Sequence, residues 1–241
     1  MNRFVLCAVM VAACSSCRGG REPEGGNQPQ TETPGKTGTA SITGTIIYKG
    51  TVPAPPSRTP TADCAKLAGP APAVLAVAKD SGGVRDAFVW VKEGITGTYP
   101  VPSEPVTLDQ KGCEYTPRVF GARAGQTVAL ANSDPLLHNV HAPSFNVPLA
   151  NAGVKVERKL TRPEVMATIT CDVHPWMRAY AGVVAHPFFA VSKADGSFEI
   201  KGLPAGSYTP EVWQEKLGRQ TQKVTVADGE AKAVSFELKA P

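Results

Sequence analysis

Aromatic side chains are scarce in this sequence, whereas glycine and proline are abundant. Aromatic residues make up 7% of its 241 residues, against 23 glycines and 22 prolines. This balance argues against a helical bundle and favours many short strands joined by turns. No stretch shows sustained helical periodicity, so we predict an all-β fold in one large or two modest domains. The net charge is +4, and the sequence contains no dense Lys/Arg tract. We therefore expect no nucleic-acid binding.

The N-terminus lacks an apolar run long enough to span a membrane, but it has a shorter one. Residues Phe4 to Ala13 are apolar and follow a short basic start, whereas a membrane-spanning helix needs about 20 such residues. The run ends in Val11-Ala-Ala-Cys14, which resembles the lipobox of bacterial lipoproteins. That resemblance implies a signal peptide of residues 1–13, cleavage before Cys14 and attachment of lipid to Cys14.

Two alternatives to lipidation at Cys14 stay open, an ordinary signal peptide cleaved near Ala13 and lipidation at Cys17. In each case we expect an exported protein, and with the lipid an anchor in the periplasmic or outer cell-envelope membrane. Residues 14–40 are mostly Gly, Pro, Gln, Thr, Glu and Arg, with almost no apolar side chain. Such a segment cannot offset its ordering entropy by burial, so we predict a flexible tether.

Histidines are few, and all of them lie between residues 138 and 186. The four histidines are His138, His141, His174 and His186. The segment Cys171-Asp-Val-His174-Pro-Trp-Met177 places a thiolate, an imidazole and a thioether at three-residue spacing. A thiolate, two imidazoles and a weak axial thioether form the donor set of a blue-copper electron-transfer site. This segment lacks one imidazole, which His138 or His141 can supply.

Between about residues 106 and 185 the chain resembles a cupredoxin and is most similar to amicyanin. The resemblance rests on the Cys-x2-His-x2-Met spacing, on Pro175 and Arg178, and on the upstream His138-Asn-Val-His141. It implies one type 1 copper ion per chain with the ligands His138, Cys171, His174 and Met177. The strand before Cys171 lacks the tyrosines that are usual in amicyanin. We therefore do not infer from the amicyanin resemblance that methylamine dehydrogenase is a partner of this protein.

The same resemblance assigns roles to residues beside the ligands. Asn139 is expected to bridge the two ligand loops and to donate its amide toward the cysteine sulfur. Trp176 is expected to lie partly exposed beside His174, where it forms an apolar collar for a redox partner, with electrons passing through the His174 edge. His141 is then exposed or hydrogen-bonded, and His186 ends a strand.

Each ligand assignment has an alternative. Cys171 can instead form a structural disulfide with Cys64 or Cys113. Residues three apart in an extended strand face opposite sides, so only one of His138 and His141 can face Cys171. His141 is the alternative to His138. Met177 can serve packing alone.

A second resemblance covers the segments on either side of the cupredoxin-like part. Ile42-x-Gly-Thr-Ile, Val84-Arg-Asp-Ala-Phe-Val-Trp-Val and Asp195-Gly-Ser-Phe-Glu-Ile resemble a carboxypeptidase-regulatory-like, transthyretin-type β-sandwich. In that family these strands belong to one domain. We therefore predict a transthyretin-like sandwich split between residues 41–98 and 189–240, with a Greek-key cupredoxin sandwich inserted at residues 99–188. The layout also resembles bacterial proteins labelled methylamine-utilisation or plastocyanin-like.

Cys64 and Cys113 have no other chemistry near them in the sequence. In an oxidising compartment two such cysteines are usually joined, so we predict a Cys64–Cys113 disulfide. Closing that loop stabilises a protein by about 4 kcal/mol when the effect is attributed to chain entropy. Cys113 as a ligand of a binuclear copper site is disfavoured, because such a site takes both cysteines from one loop.

The expected function is that of a membrane-tethered one-electron carrier, a monomer that meets an unidentified redox partner protein. No nucleophile–base pair or carboxylate dyad stands in a setting suited to catalysis, so we expect no enzyme. A copper storage or delivery lipoprotein is an alternative, but such proteins are usually rich in methionine, and this chain has four. A surface binding module with a structural copper is the third hypothesis.

Overall fold

The computed structural model describes residues 33–54, 59–67, 69 and 75–240. The predicted signal peptide of residues 1–13, the lipidation site Cys14 and the first part of the predicted tether lie outside these residues. All of the described residues belong to one compact unit. Within the described ranges no helix is both long enough and apolar enough to cross a membrane.

The described residues form seventeen strands and one short helix, which confirms the all-β prediction. In chain order they are β1 (Ala40–Tyr48), α1 (Ala62–Leu67), β2 (Phe88–Glu93), β3 (Val106–Gln110), β4 (Tyr115–Thr116), β5 (Val119–Arg123), β6 (Thr127–Asn132), β7 (His138–Ala142), β8 (Phe145–Leu149), β9 (Lys155–Lys159), β10 (Glu164–Thr170), β11 (Arg178–Val184), β12 (Phe189–Val191), β13 (Ser197–Leu203), β14 (Gly206–Gln214), β15 (Gly218–Thr221), β16 (Val224–Val226) and β17 (Ala231–Leu238).

A first sandwich combines strands from both ends of the described chain. One sheet has the order β13-β1-β17, and the other has the order β12-β2-β14-β15 with β16 paired to β14. Along β1 the side chains of Ile42, Ile46 and Tyr48 are buried, as expected for a strand with one face on a core. β1 pairs with β13 and β17, and β2 pairs with β12 and β14. Strands from residues 40–93 thus pair with strands from residues 189–238 in both sheets.

A second sandwich is built from the central part of the chain. Its sheets have the orders β5-β11-β10-β7-β8 and β4-β3-β6-β9. Leu108, Leu130, Leu149 and Ile169 are fully buried in the core between them. β7 and β10 are neighbours in one sheet, and the β3–β4 hairpin belongs to the sheet that faces it. The strands next to the candidate ligands are therefore held in a single packed core.

The two sandwiches also pack on each other through a third apolar cluster. Phe88 from the first sandwich lies in this cluster with Tyr180 and Val184 from β11 of the second. Gly182 makes the close approach possible, because a Cβ there would lie 2.2 Å from the Phe88 ring. Gly121 does the same for Phe189, because a Cβ at Gly121 would lie 2.2 Å from the Phe189 ring. The missing side chains leave room for the aromatic rings between the two sheets.

The prediction of a free tether is wrong for residues 33–40. The Gly35 N–H donates to the Thr98 carbonyl at 2.6 Å, and the Thr98 N–H donates to the Thr33 carbonyl at 2.9 Å. The Gly38 N–H donates to the Gly202 carbonyl at 2.8 Å, and β1 already begins at Ala40. These contacts use the backbone, which every residue type carries, so the polar composition of the segment gives no sign of them.

Candidate metal centre

The candidate ligands lie at the ends of neighbouring strands. His138 is the first residue of β7, Cys171 directly follows β10, and His174 and Met177 lie in the loop before β11. β10 pairs with both β7 and β11, and Thr170 stands opposite His141. The sheet therefore brings the His138 and Cys171 segments together although they are far apart in sequence.

Two imidazole nitrogens and one thiol sulfur converge in a buried space. The Nδ1 atoms of His138 and His174 are 2.9 Å apart, and the Cys171 Sγ lies 3.8 Å from the His174 Nδ1. A nitrogen of each histidine and this sulfur all lie within 4.8 Å of one another. The three residues are 0%, 4% and 2% exposed for His138, His174 and Cys171. This nitrogen and sulfur set suits a borderline or soft transition-metal ion with bonds of about 2.0–2.3 Å.

The loop between Cys171 and β11 is a tight turn. The Met177 N–H donates to the His174 carbonyl at 2.9 Å, which closes a four-residue turn. Pro175 occupies the second position of this turn, where its fixed φ is favourable. Met177 is fully buried in the same core cluster as Cys171. The short loop thus fixes the position of Met177 relative to His174.

Hydrogen bonds favour the thiolate form of Cys171. Burial alone would raise the pKa of the Cys171 thiol. A hydrogen bond with His138 and the backbone N–H groups of Asn139, His174 and Val173 outweigh it, and the pKa lies below its usual value. Thiolate is the form that binds metals.

The two histidines have opposite pKa shifts. Burial and the neighbouring His138 lower the pKa of His174, which favours the neutral imidazole that metals require. Burial also opposes a charge on His138, but the Cys171 sulfur and the Asp134 carboxylate outweigh it and raise the pKa of His138.

Asp134 holds the far side of the His138 ring. Its Oδ2 lies 3.0 Å from the His138 Nε2, so the Nε2–H can donate to it and leave Nδ1 free as a ligand. The same carboxylate accepts the N–H groups of Gly112 and Cys113, each at 2.8 Å. Asp134 was not among the residues predicted from the sequence. A ligand histidine usually has a carboxylate partner, and a search for an acidic residue near His138 could have found it.

The Asn139 side chain bridges the two ligand loops. Its Oδ1 accepts the Asp172 N–H at 2.7 Å, directly after Cys171. The expected donation of its amide to the Cys171 sulfur is wrong in detail. The amide donates to Asn146 Oδ1 at 2.7 Å and to Asp172 Oδ2 at 2.9 Å, which uses both of its hydrogens. The backbone N–H of Asn139 interacts with the sulfur instead.

His141 and His186 lie away from the three converging donors. The His141 side chain is half exposed and its Nδ1 lies 2.9 Å from Asp172 Oδ1. His186 follows the end of β11, and its Nε2 lies 2.8 Å from the Val91 carbonyl oxygen. The structure therefore places His138, and not His141, beside Cys171.

Trp176 is half-buried and lies beside His174, with 5.2 Å between the ring centroids. Its indole N–H donates to the Cys113 carbonyl at 3.0 Å. His174 is only 4% exposed, so the ring edge expected to exchange electrons is largely covered. Leu137 and Val173, each next to a candidate ligand in sequence, are 48% and 44% exposed.

The predicted Cys64–Cys113 disulfide is present, with an S–S distance of 2.03 Å. Both of its sulfurs lie within 4.8 Å of a His174 ring nitrogen. Cys171 is the one free cysteine in the part of the chain that the structure describes. The disulfide sulfurs cannot act as thiolate ligands, so Cys171 is the candidate thiolate at this site.

No family model and no curated protein matches the chain. Solved structures with partial likeness to the chain include the Cu-containing nitrite reductase NirK from Thermus scotoductus SA-01 (23% identity, 39% of this chain and 25% of that chain covered, TM-score 0.31). They also include amicyanin from Paracoccus versutus (21% identity, 34% of this chain and 84% of that chain, TM-score 0.30) and a purple cupredoxin from Nitrosopumilus maritimus (22% identity, 32% of this chain and 98% of that chain, TM-score 0.30). The chain thus spans a quarter of the length of the nitrite reductase. These values are too low to support an argument about function, which rests on the donor set itself.

Proposed function

We propose that this protein is a type 1 copper protein that carries single electrons. The observation behind the proposal is the buried convergence of the His138 Nδ1, the His174 Nδ1 and the Cys171 Sγ. Together with a thioether, this is the donor set of blue-copper sites. His138, Cys171 and His174 would hold the ion, and Met177 would supply the thioether. When bound, copper supplies a reversible one-electron couple.

The surroundings of the donors support electron transfer rather than catalysis on a bound substrate. Each of the three converging donor residues is at most 4% exposed, so a substrate molecule has little access to the ion. The protein's own part is to exclude water and to keep the donors in one arrangement during both oxidation states. Electrons can cross a covering layer of protein that a substrate cannot.

The proposed partner is a redox protein that docks on the surface near His174. Trp176 is half-buried there, and Leu137 and Val173 expose apolar side chains next to ligand residues in sequence. Exposed apolar side chains of this kind provide a surface on which a partner protein can dock briefly. We further propose a monomer that is exported and anchored by lipid on Cys14, with no role in nucleic-acid binding.

The test is spectroscopy and voltammetry on the copper-loaded protein. We expect an intense thiolate-to-copper absorption band at the red end of the visible range and a reversible one-electron wave. Cys171→Ser should abolish the band, because the transition needs the thiolate. His141→Ala should leave it in place, since His141 lies away from the donors. A colourless wild-type protein, or a band that survives Cys171→Ser, would contradict the proposal.

Replacing the thioether separates a ligand role of Met177 from a packing role. Met177→Leu nearly conserves volume, so we expect it to keep copper bound with a stability loss of less than about 1.5 kcal/mol. The reduction potential should rise, because the axial ligand tunes it and a donor is lost. An unchanged potential would show that Met177 serves packing alone. Copper transfer to an apo-acceptor without a reversible wave would instead favour copper delivery.

A further inference from the structure

The hairpin formed by β3 and β4 touches every segment that carries a candidate ligand. Gln110 and Tyr115 form its last cross-strand pair, and the Lys111 N–H donates to the Glu114 carbonyl at 3.0 Å. Gly112 and Cys113 at its tip both have positive φ, 64° and 55°. Two such residues are the mark of a two-residue type I′ turn. We call residues 110–116 the hairpin clamp.

The tip of the hairpin clamp reaches both histidines. The N–H groups of Gly112 and Cys113 point at one carboxylate, that of Asp134, which in turn faces the His138 Nε2. Consecutive N–H groups in such a turn form a concave anion-binding site, and here the anion is the side chain that orients a ligand. The Cys113 carbonyl accepts the Trp176 indole N–H, and the Trp176 ring lies against His174.

The base of the hairpin clamp reaches the two strands that lead to His138 and Cys171. The Tyr115 hydroxyl lies within hydrogen-bond distance of the Asn139 carbonyl and 2.9 Å from the Thr170 carbonyl. Asn139 follows His138, and Thr170 precedes Cys171. The Gln110 side-chain amide donates to the same Asn139 carbonyl at 3.0 Å. Tyr115 and Gln110 are buried, so these hydrogen bonds are shielded from water.

The disulfide fixes the hairpin clamp at the position where its backbone is least favourable. The φ of Cys113 is positive, and residues with a side chain rarely adopt such a value. Proteins usually have glycine at positions with positive φ. The bond to Cys64 in α1, together with the two hydrogen bonds to Asp134, holds Cys113 in this conformation. Both disulfide sulfurs lie within 4.8 Å of a His174 ring nitrogen.

We propose that the hairpin clamp, fixed by the Cys64–Cys113 disulfide, is a positioning element that holds the ligand segments in their metal-binding arrangement before metal is present. This inference rests on the proposed function. It makes Tyr115, Cys64 and Cys113 positioning residues that act through Asp134, Asn139 and Trp176. None of the three positioning residues is itself a ligand.

Tyr115→Phe tests the clamp with the smallest change, because it removes one hydroxyl from the core. Its matched control is Tyr208→Phe, which removes a buried hydroxyl that donates to the Pro204 carbonyl at 2.8 Å in the first sandwich. In the metal-free protein, amide hydrogen exchange at Asn139 and Asp172 should become about tenfold faster in Tyr115→Phe and stay within about twofold in Tyr208→Phe. Copper loss to a chelator should accelerate by a similar factor, and the absorption band and potential should shift.

A second variant, Cys64→Ala/Cys113→Ala, should move the same readouts in the same direction and further. Should this variant fail to fold, Tyr115→Phe still decides the matter. If both tyrosine variants lower the unfolding midpoint but leave amide exchange, band position and copper loss at wild-type values, the clamp is overturned. A wild-type protein without the thiolate band overturns the proposed function instead, while exchange in the metal-free protein continues to show whether the hairpin orders these segments.

Discussion

Asp134 acts on a candidate ligand without being a ligand itself. Its carboxylate is 4% exposed and accepts two backbone N–H groups while it faces the His138 Nε2. A carboxylate partner fixes the orientation and tautomer of a ligand histidine and increases its basicity. Because the hydrogen bonds come from a hairpin of the opposite sheet, this residue links the two layers of the second sandwich at the site.

Asp134→Asn should weaken copper binding by about 10- to 100-fold, as is usual when the partner of a ligand histidine is changed. The amide keeps the size of the side chain but removes the charge that favours donation by the His138 ring. Competition with a chelator of known affinity gives the measurement. Asp109→Asn is the control, since Asp109 lies in the same sandwich and accepts the Ser133 hydroxyl at 2.7 Å without contact to a ligand. Equal affinities in the two variants would contradict the role of Asp134.

The sequence predicted the candidate metal-donor residues better than the residues that position them. Cys171, His174 and Met177 lie in one short loop, so their residue types and their spacing in the sequence are enough to indicate a metal site. Asp134 and Tyr115 act through a hairpin that comes from another sheet, and no local pattern encodes that contact. The sulfur interaction of Asn139 was assigned to its side chain, but the backbone makes it.

Strand β11 differs from an ordinary surface strand because both of its faces are covered. Ala179, Ala181 and Val183 belong to the core of the second sandwich, whereas Tyr180 and Val184 belong to the cluster shared with the first. A strand covered on both faces has no polar face, so its sequence shows no alternation. β1, with one face on a core, alternates between buried and less buried side chains.

Gly182→Ala should destabilise the protein by about 1–3 kcal/mol, because the added methyl group meets the Phe88 ring and forces it to move. For a protein of this size, that corresponds to a lower unfolding midpoint by about 2–4 °C per kcal/mol. Calorimetry of the metal-free protein is the measurement. The control is Gly69→Ala, where an added Cβ meets nothing within 4 Å. Similar midpoints for the two variants would show that the sheets can separate without cost.

Glu211 joins three strands of the first sandwich through one buried carboxylate. It lies 2.7 Å from the Lys92 ammonium and 2.8 Å from the Arg219 guanidinium, and it accepts the Trp90 indole N–H. Burial would raise the pKa of Glu211, but these hydrogen bonds outweigh it and hold the pKa below its usual value of 4.5. The stabilisation is therefore complete above that value and is lost as the pH falls through the lower folded-state pKa.

Glu211→Gln should lower the free energy of unfolding at pH 7 by about 1–2 kcal/mol, a modest loss because both cations are half exposed and screened by solvent. As the pH falls below 4.5 the difference from wild type should shrink, since the unfolded chain takes up a proton there and the folded-state carboxylate does so only at a lower pH. Urea unfolding at a series of pH values measures both effects. Glu199→Gln, which removes an exposed pair with Lys201, should change little at any pH. A difference that grows on acidification would reverse the sign and refute the assignment.

The described residues form a stack of four sheets in which the candidate metal site belongs to one sandwich and both ends of the described chain belong to the other. The resemblance that placed early and late strands in one domain could be stated from the sequence, because each of those segments carries its own pattern of residues. The contact between the sandwiches was not predicted. It depends on Gly121 and Gly182 meeting Phe189 and Phe88, and glycines of this kind cannot be told from turn glycines by sequence alone.

Copper loading should stabilise the first sandwich as well as the one that holds the site. A ligand that binds only the folded state adds about 2.7 kcal/mol at a free concentration about 100 times its Kd, and this gain extends as far as unfolding is cooperative. The shared cluster around Phe88 and Tyr180, together with the Arg118–Glu215 ion pair across the contact, makes cooperative unfolding the expected behaviour.

Hydrogen exchange with and without copper measures this coupling. We expect slower exchange in the loaded protein not only in β10 but also in the central strand β1, which contributes no residue to the site. Gly182→Ala should weaken the effect in β1 and preserve it in β10, because it disturbs the contact and leaves the donors in place. Protection confined to the second sandwich in wild type would mean that the two sandwiches unfold independently. The contact would then orient the copper-binding sandwich without sharing its stability.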